Sequence, residues 1–125
     1  MTIEENKNAA VAFLKMASGG DVRQAYSQYV SKNFKHHNPF FEGSADALAA
    51  GMEENARQNP NKFLDIKRVI GEDDFVVIHS QVRLKPDDLG AAVVHIFRFE
   101  NGRIAELWDI GQPIPKESAN QSGMF

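Results

Sequence analysis

The chain has 125 residues, 42% hydrophobic and 25% charged, a length that fits one domain able to bury roughly two-thirds of its unfolded surface. A formal net charge of −3 without any basic run argues against nucleic acid or an anionic membrane as partner, and no apolar stretch approaches the ~20 residues of a membrane span. The absence of cysteine excludes disulfides and thiolate metal sites; with acidic residues in TIEENKNAAVAFL where a signal peptide would be positive, the expected location is cytoplasmic.

Thr2-x-x-Glu5 predicts a capped helix start, and Ile3, Ala10, Phe13, Leu14 and Ala17 recur at helical spacing until Gly19-Gly20 ends the run. Asp21 and Gln24 open a second helix whose inner stripe is Ala25, Tyr26, Tyr29 and Val30. A third starts near Ser44, uses Leu48, Met52 and Ala56, and stops before Asn59-Pro60. From there the pattern changes to strands at 62–70, 75–85, 91–100 and 103–112, rich in Val, Ile and Phe and separated by turn residues. Helices first and consecutive hairpin strands afterwards describe an α+β domain over residues 1–115, with its helices on one face of an antiparallel sheet. Residues 116–125 read as a loose polar tail.

The last hairpin, AVVHIFRFENGRIAELWDIGQ, carries a titratable imidazole, His95, and a carboxylate, Asp109. Asn101-Gly102 marks its turn, and two geometries are open. A two-residue loop pairs Glu100 with Arg103 and puts His95 and Asp109 on opposite faces. A three-residue loop pairs Phe99 with Arg103, sets His95 opposite Leu107, and brings Asp109 to the same face one diagonal step away, about 7–8 Å. The longer loop sorts the neighbours better and is the geometry expected. One face then holds His95, Phe97, Phe99, Leu107 and Asp109 as a pocket wall; the other holds Val94, Ile96, Arg98, Ile104, Glu106 and Trp108, with Arg98 and Glu106 able to pair.

Three further histidines are candidates for binding. In His36-His37-Asn38-Pro39 one imidazole of the adjacent pair must point inward, either to serve a ligand or to hydrogen-bond a loop carbonyl. His79 lies mid-strand on the face of Phe75 and Val77. Metal ligation by His37, His79 and His95 would need the fold to gather them, because no His-x-His or His-x-x-x-His cassette occurs. No Gly-x-Ser-x-Gly elbow and no phosphate-binding glycine loop is present either, which leaves acid–base chemistry as the leading class.

The His37-Asn38-Pro39 run, the helix after it, and Phe97-Arg98…Asn101-Gly102-Arg103-Ile104…Glu106…Trp108-Asp109, then Gln112-Pro113, resemble the SnoaL-like polyketide cyclase family of the nuclear-transport-factor-2-like superfamily, over about residues 3–115. The resemblance implies a cone-shaped curved sheet with three N-terminal helices packed on its concave face. It also implies a homodimer through the outer sheet face, here Val94, Ile96, Ile104 and Trp108. In such cyclases a histidine and an aspartate of the last two strands perform an aldol closure without metal or cofactor, which assigns Asp109 as base and His95 as acid or enolate hydrogen-bond donor. His37, Asn38, His79, Tyr29, Phe97 and Leu107 would then contact a small apolar carbonyl ligand. The pattern departs from many relatives in placing His95 where they carry an acidic residue and Leu107 where they carry a histidine. Other readings are a non-catalytic ligand-binding dimer and a metal-dependent lyase or oxygenase.

Overall fold

The computed structural model describes residues 1–125. Helix α1 (Ile3–Ser18) begins with the capping box: Thr2 Oγ accepts from the Glu5 amide at 3.1 Å while Glu5 accepts from the Thr2 amide at 3.0 Å. Its buried stripe includes Ala10, Phe13, Leu14 and Ala17. Helix α2 (Val22–Tyr29) follows the two glycines and Asp21, and runs straight into strand β1 (Val30–His36). Helix α3 (Ala45–Gln58) is capped by Ser44, whose hydroxyl accepts from the Ala47 amide at 3.0 Å, and ends ahead of Asn59-Pro60. Strands β2 (Phe63–Glu72), β3 (Phe75–Arg83), β4 (Ala91–Glu100) and β5 (Arg103–Pro113) complete the chain's regular structure, and no helix is long and apolar enough to cross a membrane.

The strands form one curved, unclosed sheet in the order β1-β5-β4-β3-β2, so the fold is α+β with three helices against the sheet. The sheet is mixed rather than wholly antiparallel, because β1 lies parallel to β5. The sequence pattern does not announce strand β1: VSKNFKH has only Val30 and Phe34 as strongly apolar residues, and an edge strand needs no more. The core behind it holds it in place. Phe13 stacks edge-on to Phe97 at 6.1 Å and tilts onto Tyr26 at 5.4 Å, and Tyr26 meets Phe34 at 5.9 Å. These rings close the inner face together with Leu48, Ile78, Ile104 and Leu107.

The β4–β5 turn is the two-residue form. Asn101 and Gly102 have φ of 51° and 78°, and Glu100 pairs with Arg103. This corrects the three-residue loop, and taken alone it would send His95 and Asp109 to opposite faces. A bulge reverses that outcome. Phe99 pairs with Ile104 but Arg98 with Glu106, so Ala105 is the extra residue and every later position of β5 slips by one. His95 and Asp109 therefore face each other directly, rather than diagonally across Leu107. Ile104 turns inward and is fully buried, which removes it from the outer apolar face expected for it. Beyond Pro113 the chain has no regular structure, although the Phe125 ring returns to His79 at 5.2 Å and lies under the Lys67 ammonium at 5.0 Å.

Candidate active site

Direct pairing on one face places the Cβ atoms of His95 and Asp109 about 4.5–5.5 Å apart. Both line a cavity of about 270 Å³ on the concave side, with Val93 and Gly111 one step further along the same face. Pro39 and Phe40 form its rim, and Phe40 is 86% exposed. His95 and Asp109 do not bond each other. The Asp109 carboxylate instead accepts from Asn38 Nδ2 at 3.0 Å. That amide has one orientation open to it, because Asn38 Oδ1 already accepts from the Phe40 amide at 2.9 Å. Asn38 thus belongs to the site, as the residue that holds the carboxylate.

The loop carrying Asn38 is anchored by His36. In the parallel register His36 sits beside Leu107, an inward residue, so alternation sends His37 outward. The buried His36 donates from Nε2 to the Glu42 carbonyl at 2.9 Å and accepts the Asn38 amide on Nδ1 at 3.1 Å, leaving neither nitrogen for a ligand. His37, expected to contact substrate, stacks instead on Trp108 at 4.8 Å with an 8° interplanar angle and donates to Glu106 at 2.5 Å. Glu106 also receives Arg98 at 3.0 Å, so the Arg98–Glu106 pair expected from the hairpin is present. The His37 contact, then Arg98, holds the Glu106 carboxyl below its usual range.

The remaining assignments divide by face. His79 pairs with Val94 on the convex side and accepts from Arg68, so it is outside the pocket. Phe97 and Leu107 face inward but are sealed in the core, forming the floor behind the pair rather than the pocket lining. Tyr29 packs against the core and borders neither cavity next to His95. Because His37 and His79 lie outside and His95 inside, the three cannot share one metal ion; no group of three or more His, Asp or Glu side chains is gathered anywhere.

Burial sets the chemistry of His95. Removal from water lowers its pKa to about 4, outweighing the opposing pull of Asp109; the Lys62 charge pushes in the same direction as burial. The imidazole is neutral at pH 7, and its buried Nδ1 has no hydrogen-bond partner. Two groups that share the electrostatics of the pair, without both lining its cavities, escape the sequence reading. Tyr26, whose hydroxyl reaches only the Met52 sulfur at 3.5 Å, has its pKa raised by burial and then by the Asp109 charge, so it stays protonated. Lys62 lines a second, smaller cavity of about 70 Å³ that also touches His95. A lysine at a strand entrance carries no sequence signal of this kind, whereas Val93 and Gly111 follow from period-two alternation about His95 and Asp109.

The family model described as the SnoaL-like domain matches residues 10–107. No curated protein sequence matches the chain. Among solved structures, a SnoaL-like protein of unknown function from Burkholderia thailandensis superposes with a TM-score of 0.73 at 15% identity, covering 90% of this chain and 98% of that one. AclR from Streptomyces galilaeus, provisionally described as a hydroxylase, gives 0.74 at 20% identity, covering 90% of this chain and 81% of that one. An NTF2-like protein of unknown function from Cytophaga hutchinsonii gives 0.68 at 13% identity, covering 86% and 90%. At these identities the likeness is one of fold.

Proposed function

The chain belongs to the SnoaL-like domain family, and from that premise we propose that it is an acid–base enzyme acting on a small carbonyl compound, of aldol cyclase, isomerase or lyase type. The observation that carries this reading is the direct pairing of His95 with Asp109 on the wall of one cavity. Asp109, held by Asn38, is the base that removes a proton next to the carbonyl. His95 is neutral and therefore acts by donating a hydrogen bond to the developing enolate oxygen, not by releasing a proton from an imidazolium. Ketosteroid isomerase likewise sets a carboxylate base against neutral hydrogen-bond donors. Residues Phe97, Leu107 and Phe13 keep bulk water from one side of the pair. The chain's own groups supply every role in this scheme, so no cofactor or metal is assigned to it.

The test is deuterium exchange into a panel of ketones and β-keto esters, comparing wild type with Asp109→Asn. Loss of at least about a hundred-fold in exchange rate is expected for removal of the base. Equal rates in the two proteins would remove Asp109 from the role.

A second copy of the chain is the proposed partner of the outer sheet face. The support is a row of apolar side chains running across four strands, Ile70–Val77–Ile96–Trp108, each the register partner of the next. Ile110 extends the row beside Val94 and is 59% exposed. If exchange were absent, the same dimer holding an unaltered ligand in its cavity is the reading this face supports.

A further inference from the structure

We propose that Lys62 is the anion-binding residue of the small cavity that adjoins this pocket at His95, so that the favoured ligand is a small keto acid in its carboxylate form rather than a neutral ketone. The inference rests on the acid–base reading for the carbonyl end of the ligand and adds the opposite end.

His95 is the shared wall of two cavities. On one side lies the open cavity of Asp109; on the other lies the smaller one, lined by Leu14, Met52, Leu64, Val82 and Lys62. The imidazole therefore stands between a carboxylate and an ammonium, and both charges act on it. The apolar walls of the small cavity leave about 70 Å³, the room for a short unbranched stem.

Lys62 is short of an anion. It is partly buried, and loss of solvent lowers its pKa from the ordinary lysine value. Its ammonium makes one hydrogen bond, to a neutral acceptor, Asn55 Oδ1, at 2.7 Å. It forms no ion pair, whereas Arg23, Arg98 and Lys67 each have a carboxylate. A desolvated ammonium without a counter-charge is costly, and a ligand carboxylate offsets that cost while using its two free N–H donors. Lys62 also borders an outer groove that contains Lys15, so an anion arriving there meets two cations before reaching the apolar cavity. Placed on Lys62, the carboxylate lies across His95 from Asp109, which spares the ligand a like-charge contact, and the stem passes the edge of the imidazole so that the carbonyl stands on the Asp109 side.

The test titrates 4-oxopentanoate, 5-oxohexanoate and their methyl esters into wild type, Lys62→Met and Lys62→Arg, following the His95 imidazole and Lys62 ammonium resonances by NMR. The acids are expected to bind wild type about ten- to a hundred-fold more tightly than the esters, as for a hydrogen bond to a charged group. Lys62→Met should bind acid and ester alike, and Lys62→Arg should restore the preference. Acids binding wild type no better than esters, a preference that survives in Lys62→Met, or no saturable binding of either acid would each overturn the assignment. Asp109→Asn separates this proposal from the catalytic one. It should keep the acid preference, so unchanged exchange in that variant with the preference intact removes the base and leaves the anion site standing.

Discussion

His95 is a half-buried imidazole held neutral with its Nδ1 out of solvent, and that has a consequence for stability as well as chemistry. Its folded pKa, about 4, lies below the ordinary 6.5, so between these values the unfolded chain binds the proton that the folded chain refuses. Stability is therefore greatest above about pH 6.5 and falls as the pH drops toward 4, by up to roughly 3 kcal/mol from this residue. Denaturant midpoints measured across that range should fall steeply for wild type and much less for His95→Gln; parallel slopes would show that the imidazole is not the linked group. At this scale the sequence is only partly legible. It puts His95 and Asp109 on a common face, though by way of the wrong turn, and it cannot tell His36 from His37 until β1 is known to run beside β5. His36 takes the bland role of a loop anchor, and His37 leaves the pocket for Trp108 and Glu106.

Among the elements, the β4–β5 hairpin shows how strand register decides a site. Were Ala105 paired with Arg98 rather than bulged out, the two-residue turn would set His95 opposite Trp108 and send Asp109 to the convex face. Deletion of Ala105 should therefore regularise the strand, keep His95 opposite Asp109 and retain exchange. One alanine inserted after Ala105 should instead abolish exchange and cooperative unfolding together, by driving Trp108 and Glu106 into the core; a folded, active insertion variant would refute the register as the determinant. Asn101-Gly102 announces the turn, but nothing as plain as a glycine announces the bulge. The available signal is the adjacent apolar pair Ile104-Ala105, where strict alternation breaks and both residues are buried. The helices are easier to read, since Thr2, Gly19 and Ser44 act locally through caps. Strand β1 is hidden for the opposite reason: its pairing partner is some seventy positions away, and its own residues are mostly polar.

For the whole molecule, the helices and sheet leave two surfaces with different fates, a concave one filled by the aromatic core and the pocket, and a convex one with unpartnered apolar side chains. The overall α+β architecture is legible because helical and strand periodicities occupy separate halves of the chain. The membership of the convex patch is not, since the two-residue turn pairs Ile104 with Phe99 and takes it inward. If that patch joins two copies, wild type should sediment as a dimer, and Ile96→Asp as a monomer with unchanged secondary structure. A wild type that stays monomeric at high concentration would leave the patch without its proposed partner. Beneath both surfaces lies the claim that His95 and Asp109 work as one unit. A double-mutant cycle on deuterium exchange, using His95→Gln, Asp109→Asn and their combination, tests it most directly. The double variant should be no slower than the slower single one; losses that multiply, or a single substitution without effect, would contradict a shared site.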